Sequence, residues 1–374
     1  MIHRAISIEN NIEKNKAVII YGPRQVGKTT LVNDFLSRTH LKYKLFSGDQ
    51  LDFANNFGQC DLELIKKLLG DIQLLVIDEA QKIENIGRAI KLVVDHIPDI
   101  YVIATGSSSF DLANATDEPL TGRKNLVTLY PIAMTELCQT YTKYELEKNL
   151  GEYLIYGTYP NIITYKTNEQ KQNRIVEIKD SYLIKDILEF HNVKKSRMVI
   201  NLLKLLAFQL GSEVSTSELG NNLGLDHKTI MRYLELVEKS FVIFRLNGFS
   251  RNLRKEVNKM GKYYFYDLGI RNGLISNFND LETRDDIGQL WENFLLIERM
   301  KRNSYKKFPT NYYFWRTYDQ KEIDLIEERG GKLYGYEFKW KKNRVKPPKD
   351  WLKTYANASY EVITTNNYLD FITS

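Results

Sequence analysis

The apolar positions of this chain change period repeatedly, and each change predicts an element. Ala17-Val18-Ile19-Ile20-Tyr21 is an unbroken apolar run, the pattern of a strand covered on both faces, and Thr30–Leu36 follows it as a helix. Tyr43–Ser47 reads as a second strand. Residues 61–69 set Leu62, Leu64, Ile65, Leu68 and Leu69 on one helical face. Leu74-Leu75-Val76-Ile77 is another doubly covered strand and runs directly into Asp78-Glu79. The spacing of Ile86, Ile90, Val93, Val94 and Ile97 predicts a helix from Gln81 to His96, with Pro98 beyond its end. Ile100–Gly106 is a further strand, leading into Ser107-Ser108-Ser109, and Leu126–Leu129 is another. Buried strands alternating with helices predict an α/β domain with a parallel sheet over residues 1–140.

Beyond that boundary the pattern turns helical. Residues 141–195 read as a small helical lid and connector, broken at Tyr156–Asn161, with Leu183, Ile184, Ile187 and Leu188 forming a core stripe. An apolar helix over 198–210 is followed by Ser215 and Glu218 at capping-box spacing. A turn at Asn222–Leu225 and a third helix from Asp226 complete a helix-turn-helix. Phe241–Leu246 and Lys262–Asp267 read as strands around a loop holding Arg251, Arg254, Lys255 and Lys259. Together, residues 196–280 predict a winged helix. In contact with DNA it would put His227, Lys228 and Arg232 in a groove and Arg251 and Arg254 on phosphates. The same elements also serve as a packing module. Residues 281–374 show an amphipathic helix at Leu290–Glu298, then strands at Tyr312–Arg316, Glu322–Ile326 and Leu333–Lys339, the last two joined by a turn at Gly330-Gly331.

Composition narrows the picture without deciding it. A chain of 374 residues with 43% hydrophobic content supports two to four packed domains. The net charge of +6 permits a nucleic-acid partner but does not require one. Cys60 and Cys138 have no metal-ligand spacing and suit a reducing compartment. With no secretory h-region and no apolar run of about eighteen residues, a cytoplasmic protein without a membrane span is expected.

The candidate chemistry begins at Gly22-Pro23-Arg24-Gln25-Val26-Gly27-Lys28-Thr29-Thr30, a full match to the phosphate-binding pattern G-x-x-x-x-G-K-[ST]. Its glycines let backbone N–H groups turn inward around a polyphosphate. Lys28 then meets the β- and γ-phosphates of ATP, and Thr29 ligates Mg²⁺. Asp78 is the second member of the magnesium shell, and Glu79 orients and polarises the attacking water. Thr105 and Ser107, at the tip of the next strand, are candidates to sense the γ-phosphate or hold that water; a serine-rich turn is the alternative.

Taken with Leu120–Arg123 and Leu129-Tyr130-Pro131, these segments resemble prokaryotic AAA-superfamily ATPases carrying a C-terminal domain of uncharacterised function. The resemblance implies a five-stranded parallel sheet with helices on both faces, binding of ATP and ADP, and assembly into a homo-oligomer. It also implies that Arg123 is an arginine finger, in its own or a neighbouring subunit, against the alternative of a surface arginine paired with an acid. A second resemblance lies near the C-terminus. Asp324 followed by Glu337-x-Lys339 is similar to the PD-(D/E)xK nuclease core of restriction-endonuclease-like domains. It implies Mg²⁺ on Asp324 and Glu337, Lys339 at the nucleophile, and Glu292 completing the site. Lys339, Lys341, Lys342, Arg344, Lys346 and Lys349 form a basic run that either tracks a phosphate backbone or is a solvated loop. The leading expectation is an ATPase whose C-terminal modules engage nucleic acid. The other is an ATP-dependent protein-interaction switch with a non-catalytic nuclease-like domain.

Overall fold

Two sheets organise the chain, each in its own compact unit. The computed structural model describes residues 2–107, 120–183, 196–250, 260–317, 321–341, 346–355 and 357–374. The expectations for Ser108, Ser109, Ile184, Ile187, Leu188, Arg251, Arg254, Lys255, Lys259, Lys342 and Arg344 lie outside these residues. One unit is built from Arg4–Tyr130 with Lys239–Phe241, the other from Pro131–Glu238 with Val242–Ser374.

In the first unit β1 (Ala17–Tyr21), β2 (Tyr43–Ser47), β3 (Leu74–Asp78), β4 (Tyr101–Gly106) and β5 (Lys124–Thr128) form a five-stranded sheet in the order β2-β3-β4-β1-β5. Every pairing is parallel. The runs that predicted double burial behave accordingly: Ala17–Ile20 and Leu74–Ile77 are fully buried. Helices α1 (Lys28–Arg38), α2 (Leu51–Gly58), α3 (Leu62–Leu69) and α4 (Ile86–His96) complete the unit. Ile65, Leu69, Ile86, Ile90 and Val93 join Ile19, Leu75 and Ile77 in one apolar core. Helix α4 starts at Ile86, not at Gln81. Glu79 (φ 51°) and Asn85 (φ 54°) both sit in the left-handed region, so residues between them make only a 3₁₀ turn at Ala80–Lys82.

The second unit opens with short helices: α5 (Met134–Leu137), α6 (Lys143–Lys148), α7 (Leu150–Tyr156), α8 (Pro160–Thr164) and α9 (Asn168–Glu177), the last running on as π-helix to Leu183. Then come α10 (Ser196–Phe208), β6 (Glu213–Val214), α11 (Thr216–Leu223), α12 (His227–Lys239), β7 (Ile243–Gly248) and β8 (Gly261–Phe265). The Ser215 hydroxyl caps α11 through Glu218 N at 3.3 Å. The reciprocal half of the box is not used, because Glu218 accepts from Gln209 instead. Gly224, left-handed at φ 64°, makes the turn to α12.

Next follow α13 (Leu268–Leu274), α14 (Ile287–Tyr305), β9 (Asn311–Arg316), β10 (Glu322–Arg329), β11 (Lys332–Phe338), α15 (Lys349–Thr354), β12 (Ala358–Ile363) and α16 (Tyr368–Thr373). All strands of this unit share one seven-stranded sheet, ordered β12-β11-β10-β9-β7-β8-β6. The join is the parallel β7–β9 pair, Asn247 against Tyr313 and Gly248 against Phe314, extended by Phe249 N donating to Phe314 O. Strands on either side of residue 280 therefore belong to one hydrogen-bonded surface, and β8 lies two strands from β9.

Candidate functional site

The glycine-rich loop closes the carboxyl end of β1. Gly22 (φ 146°) and Gly27 (φ 95°) take conformations that side chains disfavour; a Cβ on Gly22 would lie 2.1 Å from Leu129 O. Lys28, 6% exposed, bends back over the loop and donates to the carbonyls of Gly22 and Pro23, each at 2.8 Å. Arg4 braces the loop from outside, donating to Val26 O at 2.6 Å and to Tyr130 O at 2.7 Å. Pro23 and Val26 are buried, Arg24 and Gln25 half-buried, and Thr29 and Thr30 exposed on the first turn of α1.

Parallel register brings the other residues to the same sheet edge. Gly106 pairs with Tyr21, and Ala104 with Ile77, so the tips of β3 and β4 end beside the loop. Asp78 collects the hydroxyls of both neighbours: Thr29 donates to Oδ2 at 3.0 Å and Thr105 donates to Oδ1. Glu79 N also donates to Asp78 Oδ1, at 3.1 Å. The left-handed turn at Glu79 carries its carboxylate back toward Gln81, whose Nε2 donates to Glu79 Oε2 and whose Oε1 accepts from Ser107 N at 3.3 Å. Lys28, Thr29, Asp78, Glu79, Thr105 and Ser107 thus belong to one constellation, and Gln81, which the sequence placed at a helix start and not among the site candidates, links Glu79 to Ser107.

The donor set fits a nucleotide with magnesium. One hydroxyl and one carboxylate on adjoining elements, facing a loop that only glycine can close, are few protein ligands for the ion. They would leave its remaining positions to phosphate oxygens and water, the arrangement magnesium favours. Arg123 is not part of this edge. Lys124 pairs with Ala17, at the amino end of β1, so Arg123 lies a full strand length from the loop, about 16 Å. There it is paired with Asp95 of α4.

The C-terminal residues also gather. Glu292 of α14, Asp324 of β10, and Glu337 and Lys339 at the end of β11 form one cluster with Lys262 and Tyr264 of β8 and Glu322 of β10. Lys339 contacts Glu337 at 2.7 Å, Asp324 accepts from Phe338 N at 2.7 Å, and the Tyr264 hydroxyl donates to Glu292 at 2.5 Å. Lys262 pairs with Glu322 and, at 3.3 Å, with Glu292. Burial, with Glu292 and Glu337 nearby, holds Asp324 well above the usual carboxylate range. Burial also raises Glu337, against the Lys339 hydrogen bond. The arrangement does not fit the magnesium that the nuclease resemblance implies. A lysine ammonium sits among the carboxylates, and among the described residues no group of three His, Cys, Asp or Glu side chains is placed to hold a metal.

On α12, Lys228 and Arg232 line an open groove of about 540 Å³ with Glu235, Glu238, Arg245 and Tyr263; His227 opens the same helix. Along the helix the two bases come first and the two acids follow, so the groove carries both signs of charge. Lys341, Lys346 and Lys349 are exposed. No helix among the described residues is long and apolar enough to cross a membrane.

Residues 14–138 match the family model of an AAA domain; residues 147–281 and 287–370 match two domains of unknown function (DUF8612 and DUF4143). An uncharacterized protein of Mycobacterium tuberculosis is 26% identical over 340 residues, covering 90% of this chain and 73% of that one. Another, from Methanocaldococcus jannaschii, is 26% identical over 342 residues, covering 85% and 74%. Two solved structures are more distant. One, described as Pif1 helicases unwinding forked DNA, has TM-score 0.24 and 14% identity, covering 46% of this chain and 49% of that one. The other, a signal-transduction ATPase of Pyrococcus horikoshii with a tetratricopeptide repeat sensor, has TM-score 0.27 and 12% identity, covering 79% and 44%. This chain thus spans about half the length of each structure. Likenesses that weak carry no functional argument. The AAA-domain match, joined to the parallel sheet and its loop, supports an AAA-type ATPase at the level of a nucleotide-binding core.

Proposed function

We propose that the chain binds and hydrolyses ATP with Mg²⁺ at the loop of β1, and that its C-terminal unit engages nucleic acid in response to the nucleotide state. The observation that carries the first half is Asp78, which holds the hydroxyls of Thr29 and Thr105 on one carboxylate with Glu79 beside it. Residues Gly22–Thr30 wrap the polyphosphate with inward backbone N–H groups, helped by the positive end of α1. Lys28 exchanges its two carbonyl partners for phosphate oxygens. Magnesium, when bound through Thr29 and Asp78, neutralises phosphate charge. Glu79 accepts a proton from the attacking water, Gln81 fixes the Glu79 carboxylate, and Thr105 and Ser107 sense the γ-phosphate or hold that water. The test separates binding from turnover. Lys28→Ala abolishes nucleotide binding, whereas Glu79→Gln keeps it and lowers kcat by at least about 100-fold. Normal hydrolysis by Glu79→Gln would remove the assignment.

Support for nucleic acid comes from the order α10-β6-α11-α12-β7-β8. It places two helices around the Gly224 turn and pairs β6 and β7 on either side of β8. His227, Lys228 and Arg232 on α12, with Arg251 and Arg254, which lie outside the described residues, are the contacts proposed. DNA binding by the intact chain weakens steeply with salt, and neutralising Lys228 or Arg232 lowers the salt slope by about 1 each. The second reading is a protein-interaction switch, favoured by the lysine seated in the nuclease-like cluster. It is distinguished by binding no DNA at any salt concentration.

A further inference from the structure

The misfit at the nuclease-like cluster has its own chemistry. Glu292, Glu322, Asp324 and Glu337 bring four carboxylates together against two ammonium groups, Lys262 and Lys339. Lys339 is committed to Glu337. Lys262, its side chain 4% exposed, reaches Glu292 at 3.3 Å and contacts Glu322, with its Nζ 5.4 Å from the centre of the Phe314 ring. Its backbone is fixed in the sheet, opposite Glu213 of β6 and Leu246 of β7. Contact with two carboxylates, Glu292 and Glu322, balances the charge of its buried ammonium.

A cluster that served only as a structural lock would leave no acceptor over. This one does. Glu337 is 9% exposed, and its Oε2 is buried without a hydrogen-bond partner; the Tyr360 hydroxyl is likewise buried without one. Glu337 feels the charges of Glu292 and Glu322, which places it in the same cluster. The groups present thus amount to four clustered carboxylates met by Lys262, Lys339 and, beside Glu322 at 3.8 Å, Arg316, with Glu337 Oε2 left over as an acceptor. A divalent ion takes hard oxygen ligands and would need the carboxylates that Lys262 now holds.

We propose that the Lys262 ammonium is the resident cation of this cluster. It stands among Glu292 and Glu322 where a divalent ion would otherwise be bound. The wild-type cluster is therefore closed to Mg²⁺ and Mn²⁺, and becomes a divalent-cation site when that ammonium is withdrawn. The inference does not depend on the ATPase reading, because all its residues lie in the second unit and its measurement uses no nucleotide.

The experiment is Mn²⁺ titration of the full, nucleotide-free chain, reading free Mn²⁺ by its electron paramagnetic resonance signal. Lys262→Met keeps an unbranched apolar stem without the charge. It is expected to bind one more Mn²⁺ per chain than wild type at about 1 mM free metal, and Lys262→Met/Glu337→Gln is expected to lose it again. Wild type and Glu337→Gln are expected to bind equally. A Lys262→Met chain that folds yet binds no more Mn²⁺ than wild type overturns the proposal. So does a wild-type Mn²⁺ that Glu337→Gln removes, and this second comparison decides the matter if Lys262→Met does not fold.

Discussion

Gln81 shows how one residue can matter chemically while leaving no mark in a motif. It is 5% exposed and spans from the Glu79 carboxylate to the backbone of Ser107, so it fixes the direction in which Glu79 faces. Replacing it with leucine keeps the buried volume and removes both hydrogen bonds. The expected result is a loss of about 10- to 100-fold in kcat, with nucleotide affinity changed by less than about threefold, because only orientation at the reacting centre suffers. Steady-state kinetics beside a direct nucleotide titration would show this; an equal loss in affinity would instead mean that Gln81 supports the loop. The sequence singled out Lys28, Thr29, Asp78 and Glu79, because the phosphate-loop pattern and an acidic pair after a buried strand stand out by residue type and spacing. Gln81 was not legible, since only the left-handed turn at Glu79 swings it back, and that turn overrides the helical period on which it was placed. Lys262 was missed for a related reason: it reads as one more strand residue, and only the sheet order β10-β9-β7-β8 and the packing of α14 against β8 bring it near Glu322 and Glu292.

Among the elements, the start of α13 shows how a buried carboxyl can join segments far apart in sequence. Asp267 caps α13 through Ile270 N at 3.1 Å and accepts from Thr158 N at 2.7 Å. Gly157, at φ 74°, leaves it room, since a Cβ there would lie 2.2 Å from Asp267 Oδ1. Burial raises the Asp267 pKa, against the lowering by the Thr158 hydrogen bond and by Lys301. The sign follows from linkage. A carboxyl raised by folding contributes stability that is full below its unfolded value and is lost as pH climbs through the folded value. Asp267→Asn removes this dependence. Urea midpoints should therefore shift in the variant's favour, relative to wild type, between about pH 4 and about pH 7; parallel pH profiles would contradict the assignment. Strands with dense apolar character, such as β1, β3 and β8, were readable in advance. β12 was not: Ala358–Ile363 is an edge strand with mostly partial burial, and its parallel pairing with β11 comes through a crossover rather than a turn.

For the whole molecule, the position of Arg123 sets a condition on assembly. The register that brings Thr128 level with Tyr21 also sends Arg123 to the opposite edge of the sheet, where it holds Asp95. An arginine there cannot reach phosphates bound in its own loop, because the β-sheet itself stands between them. Of the two roles the family resemblance allowed, service within one chain is excluded by this geometry, and service to a neighbouring subunit is what we carry forward. That role ties turnover to association. Specific ATPase activity of the wild type should rise with chain concentration, by up to about 1,000-fold if the guanidinium acts as a full arginine finger. Arg123→Ala should remove the rise while leaving the dilute-limit rate and nucleotide affinity unchanged. Mixing it with Lys28→Ala, which offers an intact Arg123 but no working loop, should restore activity to chains that keep Lys28. A specific activity independent of concentration, or a mixture no better than its parts, would leave Arg123 as the surface partner of Asp95 and nothing more.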